Sequence, residues 1–274
     1  MSRPNFRLKQ VAVSLLLGSA ACRPDNAPTQ EPPAQKQPVP QPSATAPARV
    51  APPTAGPAAH TADTLHLPGG QVVSLRPSTA AAFGQLTAGS LPDLPNDPSA
   101  EPLPAARVRR QGLDLFLRPA QGGELKFSST PEAEFTLQNG EGVKYMYWGH
   151  LPAAHQWVVR AWAWESAGAV LVDQRTGRRL EELPGDPVAA PDGRLVLLTS
   201  PGLGGGDQPN ALSLIQIEAA GPRLLWQREP TTWEPVEARW AAPNRAILKL
   251  RHLNAQGEMP DDTPEIYAEL VLPR

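Results

Sequence analysis

The stretch QWVVRAWAWE, residues 156–165, holds the densest group of chemically capable side chains in this chain. Read as a strand, its alternation puts Val158, Arg160, Trp162 and Trp164 on one face. A guanidinium beside two indoles forms a cation–π surface, and aromatic strips bind sugars and peptides. Turned inward, the same face would fill the space between two sheets, where large aromatics are at home, and burial is the commoner outcome. Trp226, Trp233 and Trp240 are expected in the core or between stacked sheets.

Other reactive groups are sparse. LTSPGLGGGDQPN, residues 198–210, is a glycine-rich loop without the Lys-Ser/Thr and following helix of a phosphate loop. It reads as a surface loop near a binding face, with Asp207 and Asn210 as its polar members. His150 and His155 flank a turn, but zinc needs three or four converging ligands, so no metal or cofactor is expected. Glu181-Glu182 and Asp261-Asp262 are adjacent pairs, and adjacent strand residues point to opposite faces. No G-x-S-x-G or H-E-x-x-H motif occurs. A non-catalytic role is therefore the expectation. The alternative is a secreted glycan or peptide hydrolase with carboxylates scattered on loops.

The only cysteine, Cys22, stands at the end of an export signal. Arg3, Arg7 and Lys9 form a charged start, Val11 to Leu17 an apolar stretch, and Ser19, Ala20 and Ala21 the small residues before cleavage. The apolar stretch is far shorter than the roughly 20 residues that span a bilayer. A secreted chain with one cysteine cannot close an internal disulfide, so this thiol needs another explanation. Small residues running into Cys22 resemble the lipobox of bacterial lipoproteins, with Ser19 where that family usually has Leu. The resemblance implies acylation of Cys22 and attachment to the membrane. Arg23 stands where an Asp would retain a lipoprotein in the inner membrane, which implies transfer to an outer membrane. Ordinary cleavage after Ala21 is the alternative.

The rest of the composition sets the architecture. The 274 residues include 34 prolines and 22 glycines, which argues for linkers and turns rather than a helical bundle. The formal charge is −2. Removing residues 1–21 leaves 22 basic residues against 27 acidic ones, a formal charge of −5. Neither value gives the basic footprint of a nucleic-acid binder. Residues 22–64 are dominated by Pro, Ala, Gln and Thr, too apolar-poor to offset their chain entropy, and read as a disordered, semi-stiff tether.

Residues 65–110 open with LHL and VVSL around Pro68-Gly69-Gly70, a hairpin signal. Ser78 or Thr79 then caps a short Ala-rich helix, and LPDLPNDPSAEPLPA follows as a second, shorter Pro-rich linker. From residue 111 onward the chain reads as short alternating runs separated by turn residues: LDLFLR, ELKFSS, AEFTLQ, VKYMYWG and nine more. The order strand, Thr176-Gly177, strand, Pro191-Asp192-Gly193, strand recurs around Ala220-Gly221 and Pro243-Asn244, and faintly at 151–159. The unit is roughly 40 to 50 residues, the size of a propeller blade. D-x-x-T-G followed by P-D-G-R-L-V resembles the blade repeat of TolB-like bacterial β-propellers. Residues 111–274 are thus expected to form an all-β, propeller-like stack of short antiparallel sheets, with a β-sandwich as the alternative. The functional expectation is an exported, lipid-anchored envelope protein. It would bind or assemble with an envelope protein or a glycan, and Arg160, Trp162, Trp164, Asp207 and Asn210 are its candidate contacts.

Overall fold

A computed structural model describes residues 63–67, 69–89, 91–94, 103–104, 106–136, 142–202, 208–254, 256–257, 260 and 263–273. Cys22, the expected signal peptide, residues 22–62 of the expected tether, and Asp207 lie outside them, whereas Asp63 and Thr64 of that tether belong to the folded body, Asp63 pairing with Arg228.

The described chain is almost entirely antiparallel β-structure. β1 (Thr64–His66) and β2 (Val72–Ser74) form the expected hairpin, and the residue pair β3 (Arg76–Pro77) follows. The short helix α1 (Ala80–Gly84) is capped by Thr79, whose hydroxyl accepts a hydrogen bond from the Ala82 amide at 3.1 Å. Four sheets then succeed one another, each a meander of neighbouring strands. The first holds β4 (Val108–Gln111), β5 (Asp114–Leu117) and β6 (Leu125–Ser128). The second holds β7 (Lys144–Leu151), β8 (Gln156–Trp162), β9 (Ala167–Asp173) and β10 (Arg179–Pro184). The third holds β11 (Asp186–Ala189), β12 (Leu195–Ser200), β13 (Ala211–Glu218) and β14 (Gly221–Arg228). The fourth holds β15 (Trp233–Ala242), β16 (Arg245–His252) and β17 (Glu265–Val271).

Two features depart from the sequence reading. The described part of AEFTLQ, residues 133–136, is not a strand: after Pro131 the chain makes one 3-10 turn, Glu132–Glu134. The fourth strand of the last sheet comes from the N-terminal side, where β3 pairs with β17 through Glu269↔Arg76 and Ala268↔Pro77. Proline has no amide hydrogen for a ladder, so an edge place of this kind suits Pro77. The hairpin joins the same body, since Leu65, Val73 and Leu75 pack in one cluster with Trp233, Trp240 and Leu248. Phe83 of α1 stacks on Tyr267 at 5.3 Å.

Sheets pack face to face in chain order. Leu115, Leu117 and Phe127 of the first meet Trp157, Val159 and Val170 of the second. Val158 and Leu171 of the second meet Val196, Leu198 and Ile215 of the third. Leu197, Leu212 and Leu214 of the third meet the fourth. This explains the apolar run LVLL at residues 195–198: β12 is buried on both faces, so both of its alternating sets are apolar there. The outermost faces are polar. Arg109 of the first sheet stacks on Phe116 at 3.8 Å and pairs with Glu124 at 2.7 Å. The far face of the fourth carries Arg239–Glu237 at 2.7 Å and Lys249–Glu265 at 2.8 Å. Among the described residues no buried cluster joins the first sheet to the fourth. The sheets form an open stack whose ends are capped by charge, as a linear array requires.

The repeated turns coincide in space. In each four-stranded meander the first and third turns lie at one end. The Gln174 amide of the β9–β10 turn donates to His155 of the β7–β8 turn at 2.9 Å. Between sheets, the Ala120 and Gln121 amides of the β5–β6 turn donate to Gln174 and Arg175 at 2.9 and 2.7 Å. This end is called the turn end below. Leu91 and Leu94, from the second Pro-rich stretch, pack against the cluster between the second and third sheets. The Trp148 indole donates to the Pro92 carbonyl at 2.9 Å, so this part of the stretch is docked rather than a free linker.

Candidate binding groove

The strip of residues read as one strand face is divided by the structure. β8 stops at Trp162, and a four-residue turn closed by Ala163 N–H to Ser166 carbonyl at 2.9 Å leads into β9. Val158 is fully buried between the second and third sheets. Arg160, two residues on, lies 4.6 Å over the Trp148 ring and donates to Asp186 Oδ1 at 2.8 Å. Trp164 leaves the strand plane altogether. It sits at the turn tip, 46% exposed.

Two cavities result, and Trp162 lines both. The smaller, about 300 Å³, is bordered by Arg160, Trp148, Asp186, Thr199 and the docked Pro92. The larger, about 680 Å³, is a groove lined by Arg110, Leu113, Phe135, Lys144, Trp162 and Trp164. Here the Phe135 and Trp164 rings meet at 5.7 Å and 52°. Lys144 Nζ lies 4.3 Å from the Phe135 ring centre and also pairs with Glu132. Arg110 is anchored by donating to the Tyr145 carbonyl at 2.8 Å. Leu113 projects from the β4–β5 turn, 48% exposed. Exposed aromatic and aliphatic faces beside two cations suit a flat ligand with polar edges, such as a sugar ring or an extended peptide.

The glycine-rich loop contributes Gln208 to the groove wall, where its amide donates to the Pro201 carbonyl at 3.0 Å. Asn210 lines neither cavity. Its amide donates to the carbonyls of Pro230 at 2.6 Å and Trp233 at 2.7 Å, which pins the start of β13 to the β14–β15 connection. Its role in the structure is to hold the scaffold together. Trp233 and Trp240 are buried, at 4% and 8% exposure, and Trp226 packs partly buried on the same cluster.

No family model matches the chain, and no curated protein or solved structure matches it either.

The most perturbed carboxylate lies elsewhere, at the turn end. Asp173 is fully buried. Its Oδ1 accepts from the amides of Arg175 and Thr176 at 2.9 and 2.8 Å and from the Thr176 hydroxyl at 3.1 Å. Oδ2 accepts from the Arg175 guanidinium at 3.0 Å and from Gln156 at 3.2 Å. Burial alone would push its pKa up, but these donors and the Arg175 charge bring it down to about 2. An acid held this firmly ionised organises the D-x-x-T-G turn and does not exchange protons near neutral pH. His150 and His155 are exposed on or beside the β7–β8 turn and approach neither cavity. Among the described residues no three His, Cys, Asp or Glu side chains converge to hold a metal. Phe135, Lys144 and Leu113 were not singled out by sequence. Only Leu113, an apolar residue directly after Gly112 in a hairpin turn, left a local signal.

Proposed function

We propose that this protein is a lipid-anchored component of a bacterial cell envelope whose propeller-like β body binds or assembles with an envelope glycan or protein through the Trp162–Trp164 groove. The observation that carries the binding reading is the exposure of Trp164. An indole this open, next to Phe135 and Lys144, is not there to fill a core. The anchor reading rests on the sequence around Cys22, and the TolB-like likeness rests on the turn motifs.

Trp164→Ala is expected to leave the thermal midpoint within about 2 °C, because a surface change away from caps and core costs under ~0.5 kcal/mol. It should weaken retention of the protein on isolated cell-wall glycan, or on the envelope protein that it captures, at least tenfold. Trp157→Ala is the contrast: this ring is 4% exposed between the first and second sheets, and its loss should cost about 3–5 kcal/mol. Retention unchanged in Trp164→Ala would remove the groove as the binding site.

Cys22→Ser is expected to move the protein from the membrane to the soluble fraction. Mass spectrometry of the wild-type N-terminus should show acyl chains, whose buried methylenes contribute about 0.8 kcal/mol each to anchoring. A soluble wild-type protein without acyl mass would end the lipoprotein reading.

A further inference from the structure

We propose that the turn end of the stack docks on an anionic bilayer, its arginines meeting phosphate-bearing headgroups. The proposal rests on the lipid-anchored reading above, which brings a bilayer within reach. Turns of all four sheets carry an exposed arginine at this end: Arg118, Arg175, Arg178, Arg194, Arg223 and Arg245. Packing aligns the turns. A Cβ on Gly177 would lie 2.6 Å from Pro119 Cγ, and a Cβ on Gly221 would lie 2.8 Å from Arg178 Cβ. The tips of the first three sheets are therefore in contact, with Arg118 and Arg178 on either side of one of those contacts. Side-chain exposure is 85% for Arg194, 55% for Arg223 and 51% for Arg245.

The acids at this end are engaged, apart from the exposed Glu182 of β10. Asp173 is buried in its own turn. Glu124 pairs with Arg109, Glu181 with Arg179 and Glu218 with Arg223, each at 2.7 Å. Glu269 lies 3.5 Å from Arg245, and Asp192 lies 3.9 Å from Arg194. Arg118 and Arg178 have no carboxylate partner among the described residues, so the surplus is positive. At the opposite end the exposed acids Glu132 and Asp186 pair with Lys144 and Arg160, so no comparable row of unpaired arginines stands there among these residues. The whole chain has a formal charge of −2, so a cationic end exists only because the fold sorts its charges. Guanidinium forks match phosphate oxygens, and each basic residue near an anionic leaflet strengthens binding roughly fivefold. Trp164 and Leu113 lie on turns at the other end, so docking in this way points the groove away from the bilayer.

The test is co-sedimentation of the processed chain, residue 22 onward, carrying Cys22→Ser so that no acyl chain contributes. Binding to vesicles of phosphatidylglycerol and phosphatidylcholine should exceed binding to pure phosphatidylcholine vesicles at least tenfold and fall as salt rises. The triple variant Arg118→Glu, Arg178→Glu, Arg194→Glu should lose that excess. Lys126→Glu, Arg228→Glu, Lys249→Glu makes the same charge change away from this end, where these side chains pair with Asp114, Asp63 and Glu265, and should retain most of it. Equal binding to both vesicle types, or equal losses in both triple variants, would overturn the proposal. So would capture by heparin with no vesicle binding. Acyl analysis of wild-type Cys22 is a separate readout, so failure of the anchor and failure of the docking face are distinguishable.

Discussion

Gly193→Ala is expected to destabilise the protein by about 4 kcal/mol or more, and at ordinary growth temperatures to leave it largely unfolded. Two independent constraints act at this position. The backbone has φ of 69°, a left-handed conformation that a Cβ disfavours. An added Cβ would also fall 1.8 Å from the Ala153 carbonyl oxygen. That atom belongs to the backbone of the neighbouring sheet's turn, so relief requires the second and third sheets to separate. Their shared cluster contains Val158, Leu171, Leu198 and Ile215, all fully buried, and it would open with them. Losses of this size take up most of the stability of a typical domain. Gly84→Ala supplies the control. It lies at the end of α1 with nothing within 4 Å of an added Cβ, and it should change stability by less than about 1 kcal/mol. Chemical denaturation of both variants decides the matter. A Gly193→Ala midpoint close to wild type would mean that the turns do not interlock.

Asp173→Asn should cost about 3 kcal/mol, and the loss should depend on pH in a defined direction. The carboxylate accepts from Arg175, Thr176 and Gln156 while fully buried. An amide in its place removes the counter-charge of Arg175 and turns one acceptor into a donor facing donors. The pKa falls from 3.8 to about 2 on folding. A depressed acid contributes stability that is complete above its unfolded pKa and is lost as pH drops through the folded value. This contribution is roughly 2 kcal/mol above about pH 5, and it disappears between about pH 4 and pH 2. The stability difference between wild type and Asp173→Asn should therefore be flat from pH 5 to 8 and shrink toward pH 2. A difference that stays constant down to pH 2 would show that folding does not lower this carboxylate's pKa.

Both predictions sit on motifs visible in the sequence, and for a common reason. Turn chemistry is largely local: Asp173 organises its own turn through Arg175 and Thr176, with Gln156 of β8 added by the fold, and Pro191-Asp192-Gly193 needs only its own φ values. The hairpin at Gly69-Gly70 and the Thr79 cap are local in the same sense. The repeat, the all-β class and the order of the strands were legible because each meander pairs a strand with its neighbour in sequence.

Other properties depend on which distant surface a residue meets, and there the chain alone is silent. Period-2 alternation says that Val158 and Arg160 share a face, but not that another sheet buries the first and leaves the second against Trp148 and Asp186. It could not foretell that β8 ends at Trp162, which put Trp164 on a turn tip instead of in the strip. The pairing of Arg76 with Glu269 spans most of the folded chain, and no local pattern encodes it. The groove is non-local in the same way, since Leu113, Phe135 and Trp164 come from three separate turns and connections. Local rules determined the strands, the turns and their order. Long-range packing decided which faces were covered, and so which aromatics and which charges were left for a partner.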